Sequence, residues 1–417
     1  MENNNRLGVG IIGAGFIAKF HARSWGGVRD GDIVAVTSRT QASAENLARE
    51  VEDLGVGTNV TVHANIASLV QDPRVDAVWV LTPNFARIET IEAIVDEVKT
   101  GRASLRGIAI EKPLGRTVAE ARRVLELVES AGLLHGYLEN QVFAPGITRP
   151  HELLWTRAAG IAGSPYLARA AEEHSGPHNT WFWNGVEEGG GVLNDMMCHS
   201  VEAGRYMLTP PGVDPAEWLT PVSVSASINS LKWGRTRYAS ELEEKYPGIV
   251  DYTKTPSEDY AHAVFEFRNG DGEPVIVEAT TSWSYVGAGL RLSFELLGPE
   301  YSMDSSTLAT ESRVFLSRNL QQEEGEDLIE KQNAEQGLMP IVSDEAMTYG
   351  YTGENQAFTT DFLAGRQPRE SLHNGLQVME LLMAAYHSAE TGRTVTWPVN
   401  LEDFVPAVAR GEWNPRG

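Results

Sequence analysis

A single cysteine, Cys198, stands in 417 residues, so no disulfide can close within the chain and no cysteine zinc site can form. Positive charge is scarce too: 34 Lys and Arg face 57 Asp and Glu, a formal charge of −23. That balance argues against a general nucleic-acid or anionic-membrane surface. A local cluster of Arg or Lys can still hold one anion. No apolar run reaches the roughly 18 residues of a membrane-spanning helix. The opening "MENNNRLGVGIIGAG" lacks the basic and apolar regions of a secretory signal. A soluble, cytoplasmic chain with no nucleic-acid and no membrane partner is expected. Internal repeats and low-complexity segments are also missing. What is present is ordinary for a globular enzyme, 42% apolar and 22% charged residues. The length exceeds one ordinary core, so two domains are expected.

The first third of the chain alternates short apolar runs with helical stretches. "LGVGII" (7–12) precedes the amphipathic "FIAKFHARSW", and "DIVAVTSR" precedes "TQASAENLARE". "VDAVWVLTP", "GIAIEKPL" and "LLHGYLENQVF" continue the pattern, with "ARIETIEAIVDEVKTG" and "TVAEARRVLELVESAG" between them. This βαβ alternation predicts an α/β fold that begins with a doubly wound parallel sheet. The pattern fades near Phe143, which places the first domain at 1–142 and the second at 143–417. Beyond it, "PVSVSASINSLKW", "YAHAVFEFRNG", "PVIVEATTSWSY" and "LRLSFELLG" predict an open, mostly antiparallel sheet. Helices are expected around 146–160 and 195–209, and again in the stretches at 353–365 and 371–392. The acidic stretches 241–259 and 321–346 read as loops or insertions.

"GAGFIA" fits G-x-G-x-x-G/A through Gly13, Gly15 and Ala18, with Phe16 and Ile17 completing the loop. It follows a strand, opens a helix and sits in a βαβ unit, which is the context a dinucleotide loop requires. Gly13 makes the tight turn and Gly15 lets a pyrophosphate approach the backbone. Ala18 permits close packing, while the helix N-terminus faces the phosphates. The second strand ends in Ser38 and Arg39 instead of the acid that reads the ribose hydroxyls of NAD. The usual barrier to NADP is therefore missing, and either nicotinamide dinucleotide fits.

Two further stretches carry chemistry. "GIAIEKPLG" ends an apolar strand with Glu111, Lys112 and Pro113 at the carboxyl end of the sheet, where ligands bind in such folds. "GGGVLNDMMCHS" (189–200) puts Asp195 and His199 four apart, on one face of a helix. On residue types alone this pair can be a proton-handling couple, half of a metal site with His174 and His178, or a capped helix entering a core.

Taken together, "GVGIIGAGFIAKFHA", "TPN" (Thr82, Pro83, Asn84), "EKP" and "GGGVLNDMMCHSVE" resemble the Gfo/Idh/MocA family of NAD(P)-dependent sugar and polyol oxidoreductases. The likeness runs from about residue 7 to about residue 300 and resumes in the last two helices. It implies a Rossmann domain and a second α/β domain on an open antiparallel sheet whose exposed face often makes oligomer contacts. A homo-oligomer, dimer or tetramer, is expected. It also implies catalytic roles for Lys112, Asp195 and His199 and no metal. Cofactor contacts are implied at Gly13, Gly15, Phe16, Ile17, Ser38, Arg39, Thr82, Pro83, Asn84, Glu111, Lys112 and Asn140. Two departures stand out: Arg87 where the family often has histidine, and Val142 where it usually has arginine.

The loop "EEHSGPHNTWFWNG" offers Trp181 and Trp183 as flat faces for sugar C–H groups, and His174 and His178 as hydrogen-bonding groups. With Asp195 and His199 these are the candidate substrate residues. Lys232, Arg235 and Arg237 in "SLKWGRTR" can receive an anionic group or serve as a solvated strand end. The expected activity is hydride transfer between nicotinamide and a secondary hydroxyl of a sugar, polyol or glycoside. The alternative is NAD-dependent glycoside hydrolysis by transient ring oxidation, elimination, hydration and re-reduction, as in some relatives of the family. A two-carboxylate glycosidase is disfavoured, since Glu172 and Glu173 would point to opposite faces of a strand.

Overall fold

Leu7–Ile12 forms strand β1, and all six residues are buried, as befits a strand covered on both faces. The computed structural model describes residues 6–287, 289–310, 312–316 and 337–415. Around β1 are β2 (Gly31–Thr37), β3 (Thr61–Val62), β4 (Ala77–Val80), β5 (Gly107–Glu111) and β6 (Leu134–Leu138). All pair in parallel in the order β3-β2-β1-β4-β5-β6. The strand order reverses between β1 and β4, the switch point at which doubly wound sheets bind ligands. Helix Gln41–Asp53 shows how local sequence sets such an element. Thr40 caps it by accepting from the Ser43 N–H, and Ala44, Leu47, Ala48 and Val51 make its buried stripe.

The chain divides into two compact units. The first holds the residues up to Gly115, Ala119–Ala144 and Tyr349–Gln377. The second holds Arg116–Val118, Pro145–Thr348 and Val378–Gly417. The units differ from a single division at 142/143 in Arg116–Val118, by two residues at the boundary, and chiefly in Tyr349–Gln377, because helix Tyr351–Leu363 belongs with the parallel sheet. Its Phe362 ring lies 2.5 Å from where a Cβ on Gly107 would stand, and its Phe358 ring 2.7 Å from that of Gly136. Glycines in β5 and β6 leave the room that two buried phenylalanines fill. Such long-range complementarity has no local periodic signature.

The second unit is built on β7 (Leu167–Glu173), β8 (Thr220–Asn229), β9 (Tyr260–Arg268), β10 (Pro274–Ser282), β11 (Arg291–Leu297) and β12 (Ser302–Ser306). A separate hairpin pairs β13 (Ser312–Leu316) with β14 (Gly337–Ile341), and β15 (Val395–Thr396) edges the large sheet. The order is β12-β11-β7-β10-β9-β8-β15, and β7 with β10 is the parallel pair. The mostly antiparallel sheet expected from the sequence is thus present. Helix Val192–Met207 packs on β7 and β10. Gly204 permits that approach, since a Cβ there would meet Val277 at 2.5 Å. On β9, buried Ala261, Ala263, Phe265 and Phe267 alternate with partly exposed residues.

Three local expectations change. The helix expected from 195 starts at Val192. The stretch 241–259 opens inside helix Thr236–Lys245, so it is not a loop throughout; Ala239 and Leu242 give that helix a buried side despite its acidic surface. Of 321–346, residues 321–336 lie outside the described residues, and the remainder includes β14 and the short helix Glu345–Thr348.

Candidate active site

In the first unit, Gly13 has a φ of +106°, and a Cβ on it would sit 2.6 Å from the Leu81 carbonyl oxygen. Only glycine meets both conditions without strain. Two residues on, Gly15 is the N-cap of helix Phe16–Ser24. A Cβ there would meet nothing within 4 Å. The helix start carries neither a side-chain cap nor an acid in its first turn. A helix terminus with no side-chain cap, no competing carboxylate and open space above a glycine fits a pyrophosphate. Ala18 is fully buried beneath it. Phe16 and Ile17 remain partly to well exposed at the same turn.

Beyond β2, Thr37 is buried and donates to the His63 carbonyl at 2.9 Å. Ser38 is half-buried, and Arg39 is exposed. After β4, Thr82 and Pro83 are half-buried and Asn84 is buried. Arg87, only 1% exposed, donates to the Thr82 carbonyl at 2.8 Å and also to the Pro113 carbonyl. One guanidinium thus joins the loop after β4 to the loop after β5. The departure from histidine at this position is a structural clamp, and the sequence held no sign of its second carbonyl partner.

Glu111 ends β5, 6% exposed, with its carboxylate 3.3 Å from His21 Nε2. Lys112 follows it, partly buried, and the Lys112–Pro113 bond is cis. Asn140 is buried, and its amide donates to the Tyr349 carbonyl at 2.6 Å, so that donor serves the fold. Deeper in this unit lies an acidic cluster that sequence reasoning missed. Burial pushes the fully buried Glu354 well above the usual carboxyl range, and Glu111, Glu139 and Glu370 add to the shift.

In the second unit, Asp195 and His199 lie on helix Val192–Met207, 5% and 3% exposed. Trp283 donates its indole N–H to Asp195 at 3.2 Å. The His199 Nε2 lies 3.9 Å from a carboxylate oxygen of Glu172, itself 4% exposed. Glu173 points the other way and meets Arg291 at 2.6 Å. The alternation expected of this strand is what delivers Glu172 to the histidine. The sequence signal for Glu172 is its parity on β7, which disfavours a carboxylate pair with Glu173 and puts Glu172 on the face of the strand that meets His199.

The three glycines before this helix are explained by protein contacts. A Cβ on Gly189 would meet Arg116 Cβ at 2.6 Å, one on Gly190 the Tyr386 hydroxyl at 2.0 Å, and one on Gly191 the Glu258 carboxylate at 2.5 Å. The chain itself crowds this turn.

The aromatic loop is only partly a surface. Trp183 is 2% exposed and packs against Trp233, Trp283 and Tyr252 at centroid distances of 5.4, 5.3 and 6.4 Å. It belongs to the core, as does the fully buried His174, whose Nδ1 accepts from the Gly176 N–H at 2.9 Å. Aromatic rings gain more by burial together than by waiting in water for a ligand. Trp181, half-buried and stacked on Phe182, and the exposed His178 remain outward. Among the described residues, no potential metal-binding group of three or more unites His174 or His178 with Asp195 and His199.

Nor does the basic cluster converge. Lys232 lies over the Trp233 ring at 4.1 Å, Arg235 donates to the Leu231 carbonyl at 2.6 Å, and Arg237 pairs with Glu241 at 3.1 Å. Each cation is engaged locally.

The model of an oxidoreductase family with an NAD-binding Rossmann fold, Gfo/Idh/MocA, matches residues 7–137, and that of its C-terminal domain matches residues 156–303. A 1,5-anhydro-D-fructose reductase of Ensifer adhaerens is 33% identical over 232 residues, which span 54% of this chain and 62% of that protein. The rhizopine catabolism protein MocA of Rhizobium meliloti is 24% identical over 78% of this chain and 99% of its own length. The solved structure of GenD2 from gentamicin A biosynthesis, in complex with NAD, superposes with a TM-score of 0.74 at 24% identity, covering 94% of this chain and 97% of that one. With both family models matched, one over the parallel-sheet segment and one over the segment that holds the Asp195–His199 helix, the chain belongs to the Gfo/Idh/MocA family and is an NAD(P)-dependent oxidoreductase of that type.

Proposed function

We propose that this enzyme interconverts a secondary hydroxyl of a sugar, polyol or glycoside and the corresponding ketone, with Lys112, Asp195 and His199 as catalytic residues. The observation that carries the reading is the buried Asp195–His199 pair with Glu172 at 3.9 Å from the imidazole. A bound nicotinamide would supply the hydride chemistry at the carbinol carbon. Gly13, Gly15, Phe16 and Ile17 would hold the pyrophosphate, with Ser38 and Arg39 at the adenosine ribose. Thr82, Pro83, Asn84, Glu111 and Asn140 would frame the remainder. With no acid at the end of β2, the usual barrier to NADP is absent, and the cofactor is NAD or NADP.

His199 takes the hydroxyl proton during oxidation and gives it back during reduction, a role suited to an imidazole that can hold and release one proton. Glu172 stabilises the imidazolium formed in that step. Asp195, held by the Trp283 indole, accepts from the hydroxyl and sets its direction. The role given to Lys112 is to stabilise alkoxide charge, an electrostatic contribution strongest where water is excluded. Trp181 and His178 supply the outward side of the sugar site. His174 and Trp183 act from behind it, through packing.

Sugar and polyol substrates are supported by relatives named for 1,5-anhydro-D-fructose, inositol and D-xylose. The enzyme is further proposed to be a cytoplasmic homo-oligomer, a dimer or tetramer. That assembly is supported by the sheet face opposite helix Val192–Met207, where Arg169 bridges Glu278 and Glu295 at 2.7 and 3.0 Å. The test is a panel of polyols, reducing sugars and glycosides, each with NAD or NADP, read for net reduced nucleotide and for product. Net reduction with a polyol or sugar supports the reading. Glycoside cleavage without net reduced nucleotide supports redox-neutral hydrolysis instead.

A further inference from the structure

Helix Val192–Met207 begins at Gly191, which has no side chain to cap it. A helix leaves its first N–H groups without partners, and those groups must be satisfied from elsewhere. Here two residues far away in sequence supply every partner. One carboxylate oxygen of Glu258 accepts from the N–H of Gly191 and of Leu193, both at 3.0 Å. The Glu258 backbone carbonyl accepts from Val192 at 3.1 Å. The Tyr386 hydroxyl accepts from Gly191 at 3.0 Å and Asn194 at 3.3 Å, and donates to the same Glu258 oxygen at 2.6 Å. Glu258 is fully buried. The positive end of the helix is thus filled by the protein's own carboxylate, and Asp195 lies in the first turn above it.

We propose that Glu258, held by Tyr386, is a positioning residue for the acid–base pair. It fixes where the helix begins, hence where Asp195 and His199 point, and its charge tunes the proton affinity of His199. The inference rests on the reading of His199 as the base. The glycines follow from it, because any side chain at Gly190 or Gly191 would displace Tyr386 or Glu258. So does the helix start at Val192, three residues before Asp195, since the groups that cap it meet the N–H groups of 191–194.

The carboxyl of Glu258 is pushed up to about 7 by burial, against the opposing pull of Tyr386 and the N–H groups of Leu193 and Gly191. Other titratable groups lie near: Glu188, whose charge acts on Tyr386, Asp195 on the helix itself, and Glu172, 3.9 Å from the His199 imidazole, while Asp259, next in the chain, turns its carboxylate to the N–H groups of Leu231, Lys232 and Trp233. Tyr386 stays protonated, because burial and Glu258 both raise it well above its usual value. Across neutral pH, ionisation of Glu258 therefore adds negative charge at the base of the helix. That charge favours the imidazolium of His199.

The test uses the full-length protein and two readouts. The first needs no substrate: the imidazole nitrogen resonances of His199, identified by their loss in His199→Ala, are followed through the neutral pH range. The proposal expects His199 to titrate at lower pH in Glu258→Gln than in the wild type, with a smaller shift in the same direction in Tyr386→Phe. The second readout is turnover of the best substrate from the polyol and sugar panel. Glu258→Ala should lower kcat by about tenfold or more while NADH affinity stays within about twofold, and Glu258→Gln should recover part of the loss. Should Glu258→Ala fail to fold, Tyr386→Phe and Glu258→Gln carry both readouts. Lower thermal stability with an unmoved His199 titration and unchanged kcat would make the cap mere scaffolding and overturn the proposal. If the wild type turns over nothing on the panel, the substrate reading fails separately and the imidazole titration still decides this one.

Discussion

Replacing Arg87 with methionine keeps most of the stem's volume but removes the guanidinium that joins the Thr82 and Pro113 carbonyls. Both carbonyls then lose a charged donor in a site where the side chain is only 1% exposed, so little water can take its place. Hydrogen bonds to charged groups contribute about 1.5–3 kcal/mol each, so losing two should cost about 3–6 kcal/mol. For a unit of this size that corresponds to a fall of roughly 6–24 °C in the thermal midpoint. The loops it joins hold Thr82–Asn84 and Glu111–Pro113, so dinucleotide affinity should weaken by about tenfold, or 1.4 kcal/mol. Thermal denaturation and a fluorescence titration with NADH measure the two effects on the same preparation. A midpoint within about 2 °C of wild type, with unchanged affinity, would refute the clamp, since surface substitutions typically cost no more than about 0.5 kcal/mol.

Three more outcomes are expected. His199→Ala should lower turnover by at least about a hundredfold and leave dinucleotide affinity nearly unchanged, whereas parallel loss of both would mark a structural histidine. Arg39→Asp should shift preference from NADP towards NAD, read as the ratio of the two kcat/KM values; an unchanged ratio places Arg39 away from the ribose. The third concerns pH. The folded-state value of Glu258, about 7, lies above its ordinary value of 4.5. Its contribution is therefore fully present below 4.5 and is lost as pH rises through about 7. Stability should fall by roughly 2–4 kcal/mol between mildly acidic and mildly alkaline pH. Glu258→Gln should flatten that slope in urea denaturation, and an unaltered slope would assign the titration elsewhere.

Much of the fold was legible because its signals are local. β1, the glycine turn and the helix after it are contiguous in sequence, and the alternation of Ala261, Ala263, Phe265 and Phe267 marks a half-buried strand. The return of Tyr351–Leu363 to the first sheet was hidden, since it depends on Phe358 and Phe362 meeting Gly136 and Gly107. The candidate site divides the same way. Asp195 and His199 announce themselves by helical spacing, and Lys112 by its strand end. Glu172, Glu258, Tyr386 and the double reach of Arg87 come from distant segments, and only tertiary geometry identifies them. Trp183 and His174 show the reverse error, where residue types suited to sugar binding serve a buried aromatic core instead. The basic trio at 232–237 is close in sequence, yet the chain directs each cation to a different neighbour.

The central claim is hydride transfer at a secondary carbinol assisted by Lys112, Asp195 and His199. The most direct measurement follows the label in single turnovers of carbinol-deuterated polyols and sugars with oxidised nucleotide, for the wild type and Lys112→Met. Methionine keeps the stem's packing and removes the charge. The account predicts deuterium at nicotinamide C4 in the wild type, and a transfer slowed by about a hundredfold or more in Lys112→Met with dinucleotide binding retained. Wild-type nucleotide that binds but acquires no deuterium from any substrate, or a Lys112→Met enzyme that transfers it at the wild-type rate, would contradict the account.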